Sequence, residues 1–210
     1  MNKSFCYLIL LMFAISGCHP VNEKTMNIKG QISSEYDGQI AYLVPRPHPT
    51  PQTVDSIVIQ NGAFAFIIPA DSAIYDITIS RKANARTQRL LVIAEEGMLQ
   101  VKMDISSSSQ GTPLNDQLQR WKEQMEAAGE KAILLTQKIS KNKENKKLIK
   151  TLKEERETIY ESFGDSTFNF IKRNMNPLGG YLFLTMENRF NEQQSNELKK
   201  LGIEQWKPRK

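Results

Sequence analysis

The sequence predicts an α+β fold: an antiparallel β-sandwich or partly open barrel of about seven strands, followed by an α-helical hairpin and two short helices. In residues 26–106, apolar and polar side chains alternate and β-branched residues are frequent, which indicates strands. After Gly111, apolar side chains recur at steps of three and four, which is the period of helices. We therefore expect a β-sandwich domain over residues 26–106 and a helical region over residues 113–204, packed on the sandwich or projecting from it.

The predicted strands are short and are separated by turn residues. They cover residues 26–33, 39–44, 53–60, 63–69, 74–80, 88–94 and 98–105. Asp37-Gly38 favours a tight hairpin turn, because such turns need a positive φ at their centre. A further reversal of the chain is expected at Glu96-Gly97.

The dipeptide Asn61-Gly62 is a second strong hairpin pattern. We expect it to pair residues 54–59 with residues 63–68 as neighbouring antiparallel strands. In that register the two phenylalanines of the second strand, Phe64 and Phe66, lie on one face.

The proline-rich run from Pro45 to Pro51 is not expected in a central strand, because proline lacks the N–H that a central strand donates. A stiff extended loop at one end of the sheet is the prediction. A connector and a recognition edge both fit such a loop.

The helical region begins with Pro113 and a long apolar stripe. Its members are Leu114, Leu118, Trp121, Met125, Ala128, Ala132, Leu135 and Ile139. A return helix follows a polar tip, and the stripe is interpreted as the seam between the two helices or against the sheet. Asn176-Pro177 then predicts a helix start, and Asn191 opens a last helix that Gly202 should end.

The first 17 residues have the layout of a secretory signal peptide. Lys3 supplies a positive charge, residues 5–15 are mostly apolar, and Ile15-Ser-Gly-Cys18 follows. This run resembles the lipobox of bacterial lipoproteins, which implies removal of residues 1–17 and a diacylglycerol on the Cys18 thiol. A transmembrane helix is disfavoured, because crossing a bilayer takes about 20 apolar residues. Residues 18–25 are then a tether.

A lipid on Cys18 would place the protein in the cell envelope, attached to a membrane from outside the cytoplasm. Cys6 lies in the removed segment, so the mature chain has no second thiol for a disulfide, a redox pair or a thiolate metal site. No dense acidic run follows Cys18. We therefore expect the periplasmic face of the outer membrane rather than surface display.

The net charge of +5 is concentrated in the second half of the chain. The excess lies mainly in residues 138–150, which are rich in lysine. Attraction to anionic lipid headgroups or acidic glycans is one interpretation, and a solvated tip between two helices is the other. Nucleic acid is not an expected partner, because no surface combining aromatic and basic residues is apparent.

No residue pattern indicates catalysis, so we expect the chain not to be an enzyme. His19 and His48 are its two histidines, and neither lies in a nucleophile context. Neither a cofactor nor a metal is expected, because ligand sets for zinc and calcium are absent. The candidate acidic residues fall mostly at strand ends, and none forms an Asp-x-Asp-x-Asp loop for calcium; they are Asp37, Asp55, Asp71, Asp76 and Asp104.

Two polar pairs remain as local features. Glu95-Glu96 could serve glycoside chemistry, but adjacent residues near a turn are expected to point apart into solvent. Asp55-Ser56 is expected to form a bulge or a side-chain-to-backbone hydrogen bond. The ligand-binding residues are left open.

Three stretches, in this order, resemble a known domain family. They are residues 54–66 (Val-Asp-Ser-Ile-Val-Ile-Gln-Asn-Gly-Ala-Phe-Ala-Phe), residues 91–104 and residues 111–115 (Gly-Thr-Pro-Leu-Asn). The family is the uncharacterised N-terminal domain of Bacteroidetes lipoproteins whose C-terminal half is thioredoxin-like, of the thiol-disulfide oxidoreductase or AhpC/TSA type. Residues 176–183 also resemble the helical segment that precedes the thioredoxin domain there.

In those relatives a domain bearing Cys-x-x-Cys follows, whereas this sequence ends at Lys210. The resemblance therefore implies an accessory module standing alone, and no catalytic residue is carried over. The leading hypothesis is a lipid-anchored, non-catalytic binding or accessory module. The alternative is an accessory component of a periplasmic thiol-disulfide oxidoreductase system whose thioredoxin-like domain is on another chain, and a third is a degenerate remnant. The expected partners are the membrane, through Cys18, and a thioredoxin-like protein.

Overall fold

The computed structural model describes residues 24–46, 50, 52–79 and 89–206. The strands are β1 (Thr25–Gln31), β2 (Ile40–Arg46), β3 (Asp55–Val58), β4 (Ala63–Pro69), β5 (Ile74–Ile79), β6 (Leu90–Ile93), β7 (Gly97–Lys102) and β8 (Ser108–Gln110). The helices are α1 (Pro113–Lys141), α2 (Lys146–Arg173), α3 (Pro177–Met186) and α4 (Glu192–Lys200), with 3-10 helices at Ser34–Tyr36, Glu187–Arg189 and Ile203–Trp206. The predicted α+β class is confirmed.

The strands form two four-stranded sheets that face each other. Sheet A has the order β4-β1-β7-β8, and sheet B has the order β3-β2-β5-β6. The sandwich core lies between them and includes Met26 and Ile28 of sheet A and Leu43 and Ile77 of sheet B. Both sheets are open and do not close into a barrel. Of the two predicted architectures, a sandwich and a partly open barrel, the chain therefore adopts the sandwich.

Two details of the sheets differ from the prediction. Strand β8 was not predicted, because Ser108–Gln110 contains no apolar residue to reveal an alternation. Strands β1 and β7 pair in parallel, with Met26 opposite Gly97, whereas only antiparallel strands were expected. The chain returns to sheet A twice: β4 returns antiparallel to β1 on one side, and β7, after a second passage through sheet B in β5 and β6, returns parallel to β1 on the other.

The predicted tight turns connect the two sheets rather than neighbouring strands of one sheet. Asn61 and Gly62 have the expected positive φ, 53° and 66°. The predicted pairing of residues 54–59 with residues 63–68 is nevertheless wrong, because β3 pairs with β2 and β4 pairs with β1. The Asp37 carboxylate accepts hydrogen bonds from the N–H groups of Asn61 (3.1 Å) and Gly62 (2.8 Å). The two expected hairpin turns thus hold each other where the chain crosses between sheets.

Strand β4 keeps its predicted inner face. Phe64 and Phe66 are both buried, and their ring centroids lie 5.9 Å apart. Gly30 of β1 stands opposite Phe64, and a Cβ atom at Gly30 would collide with the Phe64 ring. Glycine at this position therefore makes room for the aromatic core of sheet A.

The proline-rich run begins as a strand. Pro45 and Arg46 end β2, with Pro45 opposite Tyr75 of β5, so the expectation of a loop from Pro45 onward is wrong at its start. Proline is tolerated because the pairing of β2 with β3 ends at Leu43, which leaves β2 one neighbour at Pro45. Residues 47–49 and 51 lie outside the described residues.

Helices α1 and α2 form the predicted hairpin. Leu118, Ala132 and Leu135 of the α1 stripe are buried, whereas Met125 is 37% exposed. Trp121 packs against the Phe163 ring, with centroids 5.8 Å apart. The stripe is therefore the seam of the hairpin, as expected, except at Met125.

The predicted helix boundaries are confirmed. The Asn176 side chain accepts a hydrogen bond from the N–H of Gly179 (3.1 Å), with Pro177 in the first turn of α3. Asn191 and Gln194 form a capping box at the start of α4. Gly202, with a φ of 85°, follows the end of that helix.

The helices cover the outer face of sheet B. A second buried cluster joins Ile74 and Ile93 of that face to the helical region. The helical members of this cluster are Leu118, Phe168, Ile171, Leu178, Leu182, Phe183, Phe190, Leu198 and Ile203. Strands β5 and β6 of sheet B are thus packed on both faces, whereas its edge strand β3 is exposed.

Candidate functional site

The outer face of sheet A carries rows of exposed polar side chains. Lys29 of β1 lies opposite Gln100 of β7, and Gln100 lies opposite Gln110 of β8. In the next row, Gln31 lies opposite Lys102. All five side chains are exposed, so amide and ammonium groups extend across three adjacent strands.

Helix α1 rises beside this face and turns it into a groove. The groove encloses about 770 Å³, a volume usual for ligand sites, although its lining is polar and it is open to solvent. Its lining consists of Lys29, Gln31, Met98, Gln100, Val101, Lys102, Ser108, Ser109, Gln110, Asp116, Gln119, Arg120 and Glu123. We call it the sheet A groove.

The cationic side chains of the groove are largely free to meet a ligand. Neither Lys29 nor Arg120 forms an ion pair with a described residue. Lys102 reaches a carboxylate, that of Asp104, only at 3.5 Å and at an exposed position. These three groups donate hydrogen bonds and favour a ligand that offers oxygen acceptors.

The two carboxylates that line the groove already accept hydrogen bonds from the protein. Asp116 accepts from the N–H of Gly111 (2.8 Å), and Glu123 accepts from Nε2 of Gln119 (2.9 Å). The first bond ties the start of α1 to the residue that follows β8, and the second lies within α1. Their geometry is that of structural carboxylates and not of an acid and a base aimed at one point in the groove.

Two amides on the first turns of α1 bind one edge strand of each sheet. Asn115, which is fully buried, accepts from the N–H of Ile93 (2.9 Å) and donates to the C=O of Ile93 (2.8 Å), as a further strand would. Gln119 accepts from the N–H of Ser109 in β8 (3.2 Å). Helix α1 therefore closes one side of the sandwich and fixes the wall of the groove.

Glu95 completes this joint from the sheet side. Its Oε1 accepts from the backbone N–H groups of Leu114 (2.8 Å) and Asn115 (3.0 Å) at the start of α1. A carboxylate there satisfies helix N–H groups and complements the helix dipole. The expectation that Glu95 and Glu96 point apart is correct, but solvent exposure of Glu95 is wrong. Glu96 pairs instead with Lys24 at 2.6 Å, which raises the pKa of Lys24.

A second polar cluster lies under the helices, on the outer face of sheet B. The Asp76 side chain is 4% exposed and forms ion pairs with Arg46 of β2 and, at 3.5 Å, with Arg89 beside β6. Burial raises the pKa of Asp76, and the two guanidinium groups oppose that shift. Burial, together with Asp76, also raises the pKa of Tyr181 in α3.

This cluster has the features of a structural charge network. Arg46 and Arg89 approach Asp76 from the two strands that flank β5, so the carboxylate is satisfied within the interface. Asp76 lies in the middle of β5, on the side of the strand that faces away from the sandwich core. The sequence pattern alone would assign such an aspartate to a solvent-exposed face. We assign it to the packing of α3 on sheet B.

Several residues singled out in the sequence lie outside the described residues. They are Cys6, Cys18, His19 and His48, so the predicted lipidation site is not tested by the structure. Asp55 does form the expected local bond, because its Oδ1 accepts from the N–H of Ser56 at 2.7 Å.

The described residues contain neither a metal-binding cluster nor a membrane-spanning helix. Among them, no group of three or more histidine, cysteine, aspartate or glutamate side chains could hold a metal ion. Within the same residues, no helix has the length and apolar character needed to cross a membrane.

Sequence reasoning missed the groove. The information that could have indicated it is the clean alternation of β1 and β7, in which Lys29, Gln31, Gln100 and Lys102 all fall on the outward side. Such alternation indicates a sheet with one solvated face. The wall could not be foreseen, because it depends on where α1 packs.

The fold and the groove together define an α+β protein with a two-sheet sandwich, one outer face of which stays open beside a helix. Residues 26–118 match the model of a family described as a domain of unknown function (DUF4369). The match covers nearly all of both sheets and the start of α1, including Asn115. Neither a curated protein nor a solved structure matches the chain.

Proposed function

We propose that this protein is a lipid-anchored protein of the cell envelope that binds a saccharide chain in the sheet A groove without catalysis. Cys18 carries the lipid, and the body lies in the periplasm at the outer membrane. The observation that supports binding most directly is the uncovered polar floor of sheet A beside the fixed wall of α1. Gln100 and Gln110 bond each other across this face at 3.3 Å, and as exposed amides they keep further donors and acceptors for a ligand.

The chemistry of the groove favours a saccharide. Its glutamine amides both donate and accept hydrogen bonds, as sugar hydroxyl groups require. Lys29 and Arg120 add donors for carboxylate groups, and Met98, 45% exposed, offers an apolar contact for a sugar ring. An open groove also admits a polymer that continues beyond both ends, whereas an enclosed pocket does not.

The lack of catalysis is supported by the groove's own carboxylates. Asp116 accepts from the N–H of Gly111 and Glu123 accepts from Gln119 of the same helix, so each carboxylate already has a partner within the protein. Binding without turnover is the function that this arrangement supports.

The anchor is tested by exchanging each cysteine in turn. Cells expressing the chain are fed radiolabelled palmitate, and their membranes are separated. We expect label in the native protein and in Cys6→Ala, and no label with release from the membrane in Cys18→Ala. An unmodified N-terminus in mass spectra of the native protein would refute the anchor.

Binding is tested by NMR titration of the purified chain with two probes, an N-acetylglucosamine oligomer and a uronic-acid oligomer. We expect shifts at the amides of Gln100, Gln110 and Gln119, weakened in Lys29→Gln/Arg120→Gln. The matched control Arg173→Gln/Lys200→Gln removes two exposed charges elsewhere and should bind normally. Absence of shifts with both probes, or shortened oligomers after incubation, would overturn the proposal.

A further inference from the structure

The far half of the helical hairpin projects from the body as an arm, which comprises residues 127–160. The last described bonds of α1 to the sandwich are those of Lys122 and Glu126 with residues 106–107. On α2, contact with the rest of the helical region begins at Tyr160, whose ring lies 5.2 Å from Arg189. The arm thus extends by about 15 residues of α1, or roughly 22 Å.

The tip of the arm concentrates the positive charge of the protein. Residues 138–153 contain seven lysines and one glutamate, while the whole chain has a net charge of +5. The lysines are Lys138, Lys141, Lys143, Lys146, Lys147, Lys150 and Lys153, and all are exposed. Of these, only Lys150 forms an ion pair with a described residue, at 3.9 Å from Glu154.

Helix energetics explain only part of this concentration. Lys138 and Lys141 lie in the last turn of α1, where positive charge complements the helix dipole. Lys146 and Lys147, in contrast, lie in the first turn of α2, which contains no acidic residue. Positive charge at a helix N-terminus opposes the helix dipole. Lysines placed against local preference indicate a use outside the fold.

The arm points away from the end of the sandwich at which the chain enters. Met26 of β1 pairs with Gly97, and Gly97 adjoins Thr112 at the start of α1. Helix α1 then runs alongside β7 and leaves the body near Ser107. Helix α1 has 29 residues, so its C-terminal end, at the tip of the arm, lies about 43 Å along the helix axis from its N-terminal end. The N-terminal end is the one beside the start of β1, where the described chain enters the sandwich.

We infer that the tip of the arm binds the carboxylates of peptidoglycan, at a distance from the membrane that holds the lipid. This rests on the envelope location proposed above. With a lipid at Cys18, the entry end of the sandwich is the end nearest to the anchor along the chain, and the arm leaves the body at the opposite end. The polyanion that the arm then meets is the cell wall, whose stem peptides carry carboxylates, rather than the headgroups beside the anchor.

Lysine suits this partner. Each ammonium is a hydrated point charge on a flexible stem, which fits a mobile polymer without a fixed register. Single exposed contacts are weak, so several lysines are needed for useful affinity. Because the charges are exposed, binding should weaken as the Debye length falls from about 10 Å at ~0.1 M salt to about 3 Å at ~1 M.

The experiment is co-sedimentation of the mature lipidated protein, in detergent, with purified peptidoglycan sacculi. We expect binding at low salt and loss of binding at high salt. Lys143→Gln/Lys147→Gln should weaken binding about fivefold. The control Arg173→Gln/Lys200→Gln, with the same change in charge, should bind as the native protein does, and so should Lys143→Arg/Lys147→Arg.

A parallel arm of the experiment replaces sacculi with vesicles of phosphatidylethanolamine and phosphatidylglycerol. Three results would each overturn the inference. The first is equal weakening of binding by Lys143→Gln/Lys147→Gln and by the control Arg173→Gln/Lys200→Gln, and the second is loss of binding in Lys143→Arg/Lys147→Arg. The third is tip-dependent binding to vesicles with no binding to sacculi. The groove variant Lys29→Gln/Arg120→Gln separates this inference from the proposed function. If this groove variant no longer shows NMR shift changes on addition of the saccharide oligomers but still binds sacculi through the tip, the two surfaces act separately.

Discussion

The two sheets of this sandwich share one core but differ in what lies on their outer faces. The outer face of sheet B carries Ile74 and Ile93, which are buried under the helices. The outer face of sheet A carries Lys29, Gln100 and Lys102, which are exposed. The burial of single strands shows the difference, since β5 is buried at positions of both parities and β7 alternates between buried and exposed positions. The covered sheet supports the helices, and the open sheet is free to bind.

The largest expected effect compares one isoleucine on each outer face. Ile74→Ala should lower the free energy of unfolding by about 3 kcal/mol, because it leaves a cavity between sheet B and the helices. Ile67→Ala, on the open face of sheet A where Ile67 is 70% exposed, should change it by less than about 0.5 kcal/mol. Urea denaturation measures both. Equal losses would mean that a partner or a neighbouring segment covers sheet A in solution.

The two amides of α1 give the next comparison, one for each sheet edge. Asn115→Ala should cost about 2 kcal/mol, because the buried N–H and C=O of Ile93 lose their partner. Gln119→Ala removes one bond to Ser109 and should cost about 1 kcal/mol or less. Thermal unfolding ranks the two variants. The reverse ranking would show that α1 is held mainly by sheet A.

A glycine pair compares the inner packing of sheet A with the exposed hairpin. Gly30→Ala should destabilise the protein by about 1.5 kcal/mol, because the new methyl group displaces the Phe64 ring. Gly129→Ala in α1 meets no neighbouring atom and should stabilise it by about 0.5 kcal/mol. Denaturation midpoints test both signs. An unchanged midpoint in Gly30→Ala would mean that the core beside Phe64 has spare room.

The smallest expected effect concerns the pH dependence contributed by Asp76 on the covered sheet. Because burial raises its pKa, the folded state holds the proton more tightly than the unfolded state. The stability that Asp76 contributes is therefore fully present below the ordinary carboxyl range and is lost as pH rises through the raised pKa. The stability difference between the native protein and Asp76→Asn should accordingly shrink with rising pH. A difference that grows with pH would show that Arg46 and Arg89 outweigh burial.

The sequence predicted the elements better than their partners. The helix caps at Asn176 and Asn191 were correct, because a cap depends on residues within one turn. The turn at Asn61-Gly62 was also correct, but its hairpin was not, since a positive φ serves a switch between sheets as well as a hairpin. Strand pairing depends on contacts far apart in the chain, which local patterns do not report.

The candidate groove shows the same division. The alternation of polar and apolar side chains along β1 and β7 predicts its polar floor. Its wall, in contrast, exists because Asn115 and Gln119 of α1 bind strands β6 and β8. Neither amide has a local pattern that distinguishes it from an ordinary helix residue. Local patterns also predict a solvent-exposed Glu95, because its partner, the start of α1, lies about 20 residues further along the chain.

By itself, the sequence determined the α+β class, the period of each segment, the helix ends and the expectation of a lipid at Cys18. These follow from short-range rules: side-chain alternation, helical spacing, capping, and the small and apolar residues before a cysteine. The tertiary structure alone decided which strands are neighbours, which sheet the helices cover, and that the basic tip points away from the entry of the chain. Those outcomes depend on which apolar faces are buried against each other, a competition settled only when the whole chain packs.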